Sequence, residues 1–193
     1  MFGLFKTKPL PNYHVYATEI DKYRHIINVL KNNGGKYLLV YHFNNTRQEA
    51  EQLLTAAQLA YSHDLASGSQ VLLAESEMLL KTVWPVDYSV IVLEIYPLSN
   101  RGLGLMTKAA QLSHSLEFYA ALDSPFFKLF GGERLASLLP KLGMESDEAI
   151  SHPMVNKSIQ RAQQKIEDKL PFEVTERESI ERWMEVNKIQ SFS

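Results

Sequence analysis

The sequence predicts an α/β domain with a small, mostly parallel sheet flanked by helices, and a helical extension after it. Two continuous apolar runs, at 36–43 and 88–96, are typical of strands covered on both faces. Amphipathic helical segments follow such runs, as in the βα units of parallel sheets. No further strand pattern occurs after Ser124. We therefore expect a leader at 1–13, the α/β domain at 14–123 and the helical extension at 124–193.

Capping residues mark where the first helices begin. Thr18 is a good N-cap, with Asp21 three residues on, and the helix that follows should end before a glycine pair. The next helix follows the 36–43 strand, and Asn45 or Thr46 is its expected cap. The remaining strands are predicted at 69–76 and 114–122, with a short helix after the first of them and a loop leading into a helix after 88–96.

The extension is predicted to contain three helices, near 124–142, 153–168 and 176–189. Apolar residues at helical spacing should dock the first two on the domain: Leu135, Leu138, Leu139 and Leu142, then Val155, Ile159, Ala162 and Ile166. Ser151 or His152 can cap the second helix, and Thr175 with Glu178 forms a capping box for the third. Trp183 and Met184 on that last helix either pack on the domain or contact a partner.

Composition excludes several classes of protein. The 193 residues carry a net charge of −2, without the basic excess of a nucleic-acid-binding protein. The chain has no cysteine, no run long enough for a membrane span and no secretory signal pattern, so we expect a cytoplasmic protein. No histidine pair has metal-ligand spacing, and no catalytic motif occurs, so we expect neither a metal nor a catalytic residue. His42, at the end of a strand, is expected to be a packing residue.

The second half of the chain contains a distinctive set of residues: Phe118, Tyr119, Asp123, Phe130, Gly131, Arg134, Leu142, Gly143, Met144, Glu148, Ile150, His152, Pro153, Ala162, Gln163, Lys165, Ile166 and Glu167. In type and spacing this set resembles the SecA preprotein translocase ATPase family. The segments at 14–30, 34–53 and 88–102 extend the likeness to most of 14–167. The resemblance implies the RecA-like fold of the family's second motor domain.

The residues that serve catalysis in that family are mostly missing. Of its Ala-Gly-Arg-Gly-Thr-Asp loop only Arg101 and Gly102 remain, and the arginine-rich strip that follows has no counterpart from Leu103 to Ser113. The first motor domain, with its phosphate loop, is not part of these 193 residues. We therefore expect no enzyme activity and no cofactor. The vestigial nucleotide-binding residues would be Asn44, Asn45, Asn100, Arg101 and Gly102.

Three functions are compatible with this pattern. The favoured one is a protein-binding or regulatory module linked to protein export, with a motor domain of the translocase as a candidate partner. The second is a nucleotide- or small-ligand-binding domain, whose site would lie at the carboxyl ends of the strands around Asn44, Asn45, Ser99, Asn100 and Arg101. The third is a subunit that completes an ATPase in trans by donating Arg101. The partner, the ligand and the oligomeric state are not specified by the sequence.

Overall fold

A computed structural model describes residues 11–132 and 148–190, and it is built around one sheet of six parallel strands. The strands are β1 (Tyr13–Tyr16), β2 (Lys36–Tyr41), β3 (Tyr61–Ser62), β4 (Val71–Glu75), β5 (Tyr88–Val92) and β6 (Leu116–Ala121). Their order across the sheet is β1-β6-β5-β2-β4-β3. The predicted α/β class and parallel sheet are confirmed.

Seven helices belong to the described residues. They are α1 (Glu19–Asn32), α2 (Asn44–Ala56), α3 (Ser76–Lys81), α4 (Ser99–Leu112), α5 (Pro125–Lys128), α6 (Pro153–Glu167) and α7 (Ile180–Val186). Helices α1 and α2 cover one face of the sheet, where Leu39 belongs to their apolar cluster. The opposite face carries Leu38 and is packed by α4, α6 and α7. The extension therefore shares the core of the domain.

The central strand β2 explains why the long apolar runs are strands. It lies between β4 and β5, with Leu38 beside Leu72 on one side and Val90 on the other. Residues 37–41 are all buried. Since both faces of such a strand are covered, its sequence is continuously apolar instead of alternating. The strand predicted at 88–96 is shorter than expected, because it ends at Val92 and 93–96 form a loop in which Leu93, Ile95 and Tyr96 are buried.

Strand β1 was not predicted and forms one edge of the sheet. Tyr13 pairs with Phe118 of β6, far along the chain. Its outer side is bridged in antiparallel fashion by Ile150, where Val15 N–H donates to Ile150 O (3.1 Å) and Ile150 N–H to Val15 O (2.8 Å). The other edge is the two-residue strand β3. Both edges therefore offer few unpaired backbone groups.

The first helix begins as predicted. Thr18 Oγ1 accepts from Asp21 N–H at 3.1 Å, and the helix ends at Asn32, just before Gly34 with its positive φ of 61°. In the extension, His152 Nδ1 accepts from Met154 N–H at 3.1 Å, which confirms the predicted cap of α6.

Two predictions about the extension need correction or lie outside the described residues. The helix expected near 176–189 covers only Ile180–Val186, and Ser179, not Thr175, caps it by accepting from Arg182 N–H at 3.2 Å. For the helix expected at 124–142, the described part is α5 (Pro125–Lys128). Its leucine stripe, Leu135, Leu138, Leu139 and Leu142, lies outside the described residues. On α6, Ile159, Ala162 and Ile166 are buried as predicted, and Val155 is half-buried.

Candidate functional site at the carboxyl edge

The carboxyl ends of β2, β4 and β5 meet at one edge of the sheet. Open α/β sheets bind their ligands at this edge, so it is the first place to look for a site. The segments that leave these strands carry His42, Ser76 and Glu94. Helices α2 and α4 also begin here, and their first N–H groups would be suited to anions.

The start of α2 is closed by the chain's own extension. Asn44 N–H donates to Arg177 O at 2.7 Å, and Asn45 N–H donates to Glu178 O at 2.9 Å. The N-cap is Phe43, which has no capping side chain, so the prediction that Asn45 or Thr46 caps this helix is wrong. The backbone carbonyls of a distant segment perform that role, which a local sequence pattern does not reveal.

The extension also caps the start of α4, here with a side chain instead of backbone carbonyls. Glu167 Oε1, at the end of α6, accepts from both the N–H and the hydroxyl of Ser99, at 2.7 Å each. Gln163 Nε2, one turn earlier, donates to Tyr96 O at 2.9 Å. A carboxylate at a helix N-terminus is stabilised by the helix dipole. Oxygen atoms of the extension therefore occupy both helix N-termini at this edge.

Arg101 and Gly102 do not lie on a loop, as the sequence suggested, but within the first turns of α4. The guanidinium of Arg101 lies 5.3 Å from the ring centre of Tyr96, and its Nη2 is 3.4 Å from Glu77 Oε2. Gly102 is buried, and a Cβ there would lie 3.6 Å from the Phe118 ring. Asn100 is exposed. The expected five-residue site is therefore split between the starts of two helices.

Arg177 links these two helix starts and was missed in the sequence. Its Nη1 is 3.2 Å from Glu75 Oε1, and its Nη2 is 2.6 Å from Glu77 Oε2, the carboxylate that also binds Arg101. The carbonyl of the same residue accepts from Asn44 N–H. Because the contact joins positions 100 residues apart, no local motif marks it.

A partly buried carboxyl group lies beneath this edge. Glu94 Oε1 accepts from His42 N–H (2.8 Å) and Phe43 N–H (3.0 Å), and Oε2 accepts from Thr46 Oγ1 (2.7 Å). These bonds favour the ionised form, but burial outweighs them and raises the pKa of Glu94 to about 7. Glu94 was not singled out in the sequence, since its partners come from another strand.

His42 is a packing residue at this edge. Its side chain is buried, with Nδ1 2.7 Å from Ser76 Oγ and the ring 5.2 Å from the Tyr96 ring centre. Burial, and then the positive charge of Arg101, lower the pKa of His42 to about 3. The imidazole is therefore neutral at pH 7 and unsuited to accept a proton from a substrate.

Trp183 and Met184 pack on the domain. The other possibility considered from the sequence, an exposed contact for a partner, does not fit their burial. Trp183 is fully buried and Met184 nearly so. Trp183 Nε1 donates to Glu173 Oε1 at 3.0 Å, and the Tyr96 hydroxyl donates to the same oxygen. The two rings meet edge to face with centres 6.0 Å apart. These contacts anchor the extension over the edge.

Two hollows open near the carboxyl edge. The smaller, of about 110 Å³, is lined by four glutamates, Glu19, Glu49, Glu94 and Glu181, with Lys22 among them. The buried ammonium of Lys22 pairs with Glu19 and donates to Leu93 O at 2.8 Å. The larger, of about 740 Å³, is a groove between α1 and α2 that shares Glu19 and Glu49 with the smaller one. Within the described residues, no cluster of three or more His, Asp or Glu is arranged to hold a metal.

Comparison with known proteins finds similarity to SecA in part of the chain. It is 52% identical over 52 residues to the protein translocase subunit SecA of Acidithiobacillus ferrooxidans, covering 27% of this chain and 6% of the relative. Against SecA of Christiangramia forsetii, identity is 46% over 54 residues, covering 28% of this chain and 5% of the relative. Part of this chain is SecA-related. The chain thus spans only a small fraction of the length of these SecA proteins, and no family model matches it.

Two solved structures align with more than half of this chain. A chain in the crystal structure of the E. coli DEAD-box protein SrmB bound to RraA aligns with 65% of this chain and 85% of its own, at TM-score 0.47 and 12% identity. The C-terminal part of the Fun30 ATPase domain aligns with 78% of this chain and 54% of its own, at TM-score 0.45 and 10% identity. Among the helices of 11–132 and 148–190, none is long and apolar enough to cross a membrane.

Proposed function

We propose that this chain is a non-catalytic, SecA-related domain that serves as a protein-binding or regulatory module linked to protein export. The proposal rests on one observation: the extension fills the carboxyl edge. The N–H groups at the starts of α2 and α4, which would be the natural donors to a phosphate, already donate to Arg177 O, Glu178 O and the Glu167 carboxylate. A nucleotide could reach them only by displacing these oxygens.

The electrostatics of the edge also disfavour a nucleotide. The hollow beside the start of α2 is lined by four glutamates, and its buried lysine, Lys22, is already paired with Glu19. A triphosphate placed there would face carboxylates at short range in a partly desolvated site, where like charges repel strongly. The nucleotide-binding alternative is therefore the weaker one.

The role of Arg101 as an arginine donated in trans is also disfavoured. The side chain is 18% exposed, lies over the Tyr96 ring and faces the carboxylate of Glu77. Glu77 is held in turn by Arg177 at 2.6 Å. An arginine that stabilises a transferring phosphoryl group must reach out of its own surface. Here it would first have to leave an ion pair and a cation–π contact.

Binding to a protein partner is consistent with the features that the chain retains. The domain keeps a well-packed core and a SecA-related segment, and the relatives are subunits of a protein translocase. We propose that the partner is a motor domain of that translocase. A regulatory domain needs only a stable surface, and the closed edge provides one without an exchangeable ligand.

The test combines nucleotide and partner binding on the purified full chain. We expect no rise in Tm with 5 mM MgATP or MgADP, whereas a ligand at about a hundredfold excess over its Kd would add about 2.7 kcal/mol of stability. We expect saturable binding to purified SecA of the same organism in biolayer interferometry. Stabilisation by nucleotide, or the absence of SecA binding, would overturn the proposal.

An Arg101→Ala variant separates the proposal from the trans-arginine alternative. SecA mixed with this variant should hydrolyse ATP at the same rate as SecA mixed with the wild-type chain. A loss of chain-dependent hydrolysis would assign Arg101 to catalysis. Lys108→Ala, on the same helix α4, is the matched control for a lost cationic side chain, since its Nζ donates to Leu79 O.

A further inference from the structure

The groove between α1 and α2 has apolar walls that the described residues leave uncovered. Ile20 and Ile27 of α1 face Leu53 and Ala56 of α2, and Ala57 just after it, across about 740 Å³. Ile20 is 70% exposed, although it lies among the apolar residues of its helix. On α1, Ile20, Tyr23 and Ile27 lie at i, i+3 and i+7, and on α2, Leu53 and Ala56 lie at i and i+3, so each helix turns one apolar strip to the groove. Apolar side chains in two facing stripes are the geometry of a docking groove.

One end of the groove is acidic. Glu19 and Glu49 line the groove and also the smaller hollow, which Glu94 and Glu181 line as well. Arg24, the arginine on the groove wall, binds Asp21 Oδ1 at 2.7 Å, and Lys22 pairs with Glu19. The residues that line the groove and the smaller cavity include four glutamates and these two cations, and both cations already have a carboxylate partner. The lining of this end therefore has more carboxylates than cations.

The chemistry of the groove selects among possible occupants. Its walls are two helices whose backbone groups are hydrogen-bonded internally, so a partner strand would find no row of free donors and acceptors. A nucleic acid or an anionic lipid surface would be repelled by the acidic end. A helix with apolar side chains on one face and a basic residue near them would match both the apolar walls of the groove and its acidic end.

We propose that the α1–α2 groove receives an amphipathic helix of a partner protein, with its apolar face between Ile20, Ile27 and Leu53 and a Lys or Arg at Glu19 and Glu49. The inference rests on the proposed binding function and names the surface and the chemistry of the partner. The basic side chain gives the helix its direction in the groove, because only one end carries the carboxylates.

The probe is a designed, fluorescein-labelled 16-residue helical peptide that carries Leu and Ala on one face and a single Arg within one helical turn of that face. The control is the same peptide with Glu in place of Arg. Binding to the full chain is followed by fluorescence anisotropy. We expect the Arg peptide to bind and the Glu peptide to bind at least about tenfold more weakly, a difference of about 1.4 kcal/mol. Equal binding of both peptides, or binding of neither, would overturn the proposal.

Substitutions on the chain locate the binding surface. Ile20→Glu should weaken the Arg peptide at least about tenfold, whereas Val83→Glu, at a position 84% exposed outside the groove, should not. Glu49→Gln should abolish the preference for Arg, and Glu51→Gln on the same helix should keep it, because Glu51 faces Arg47 and His63. An Ile20→Glu variant that binds like Val83→Glu would refute the site.

Two further outcomes identify where an error would lie. If SecA binds the wild-type chain and the Ile20→Glu variant equally, the groove is not the docking surface, but the proposed function stands. If the Arg peptide binds and SecA does not, the proposed partner is wrong, but the groove stands. A concentration-dependent dimer in analytical ultracentrifugation that Ile20→Glu dissociates would overturn the inference by showing that a second copy fills the groove.

Discussion

The partly buried carboxyl of Glu94 gives this protein a stability that should fall as pH rises. Its pKa is about 7 in the folded chain, against an ordinary value of 4.5. A carboxyl whose folded pKa is raised binds protons more tightly when folded, so its contribution is complete below pH 4.5 and is lost as pH rises to 7. Each pKa unit corresponds to about 1.4 kcal/mol, so the full loss is about 3 kcal/mol.

Glu94→Gln isolates this effect, because the amide oxygen can still accept from His42 N–H and Phe43 N–H but cannot ionise. We expect its free energy of unfolding, relative to wild type, to improve by about 2 to 3 kcal/mol between pH 5 and pH 8. The assay is urea unfolding at pH 5, 6, 7 and 8, followed by the fluorescence of Trp84 and Trp183, both buried.

Glu185→Gln is the matched control, since it removes an equal charge from an exposed position on α7. We expect its unfolding free energy to follow that of wild type at every pH. If the difference between Glu94→Gln and wild type stays constant from pH 5 to pH 8, or moves in the opposite direction, the account of Glu94 as a partly buried, hard-to-ionise carboxyl is refuted.

Three other substitutions test the edge. Burial lowers the pKa of His42 to about 3, so the contribution of His42 to stability should fall by about 2 kcal/mol between pH 7 and pH 5, as the unfolded chain takes up a proton. In urea unfolding, the free energy of unfolding of His42→Asn should rise by about that amount relative to wild type over the same interval, and a constant difference would contradict this account. Glu167→Ala should cost about 1 to 2 kcal/mol by uncapping α4, whereas Asp168→Ala should cost little; equal costs would contradict the cap. Trp183→Ala should cost about 3 to 5 kcal/mol, measured by circular dichroism, and Arg182→Ala under about 1 kcal/mol; a small cost at Trp183 would mean the extension is not docked.

The central strands could be predicted from the sequence because their signal is local. The run at 36–43 is apolar at nearly every position, because β4 and β5 flank β2 within the sheet and helices cover both of its faces. Strand β1 was missed for the opposite reason. It has four residues, one of them His14, and it is a strand only because β6 lies beside it. Pairing across such a separation leaves no local pattern.

The sequence predicts the position of the candidate residues at the carboxyl edge but not the contacts that close this edge. Asn44, Asn45 and Arg101 do lie at the carboxyl edge, yet Arg101 is on a helix because Glu167 caps that helix two residues earlier. The extension closes the edge through Arg177, which carries no motif. Long-range capping decides the difference between an open ligand site and a filled one, and single-sequence patterns report only neighbours.

The position of β1 also sets the order in which the chain can fold. Tyr13 of β1 pairs with Phe118 of β6, so β1 has no neighbouring strand until β6 has been synthesised. Closing so long a loop costs entropy that only the finished sheet repays. We therefore expect β2, β4 and β5 to assemble first and β1 to join last. Val15 and Tyr16 are buried in the folded chain, so we expect these apolar side chains to be exposed, and open to aggregation, until β1 joins the sheet.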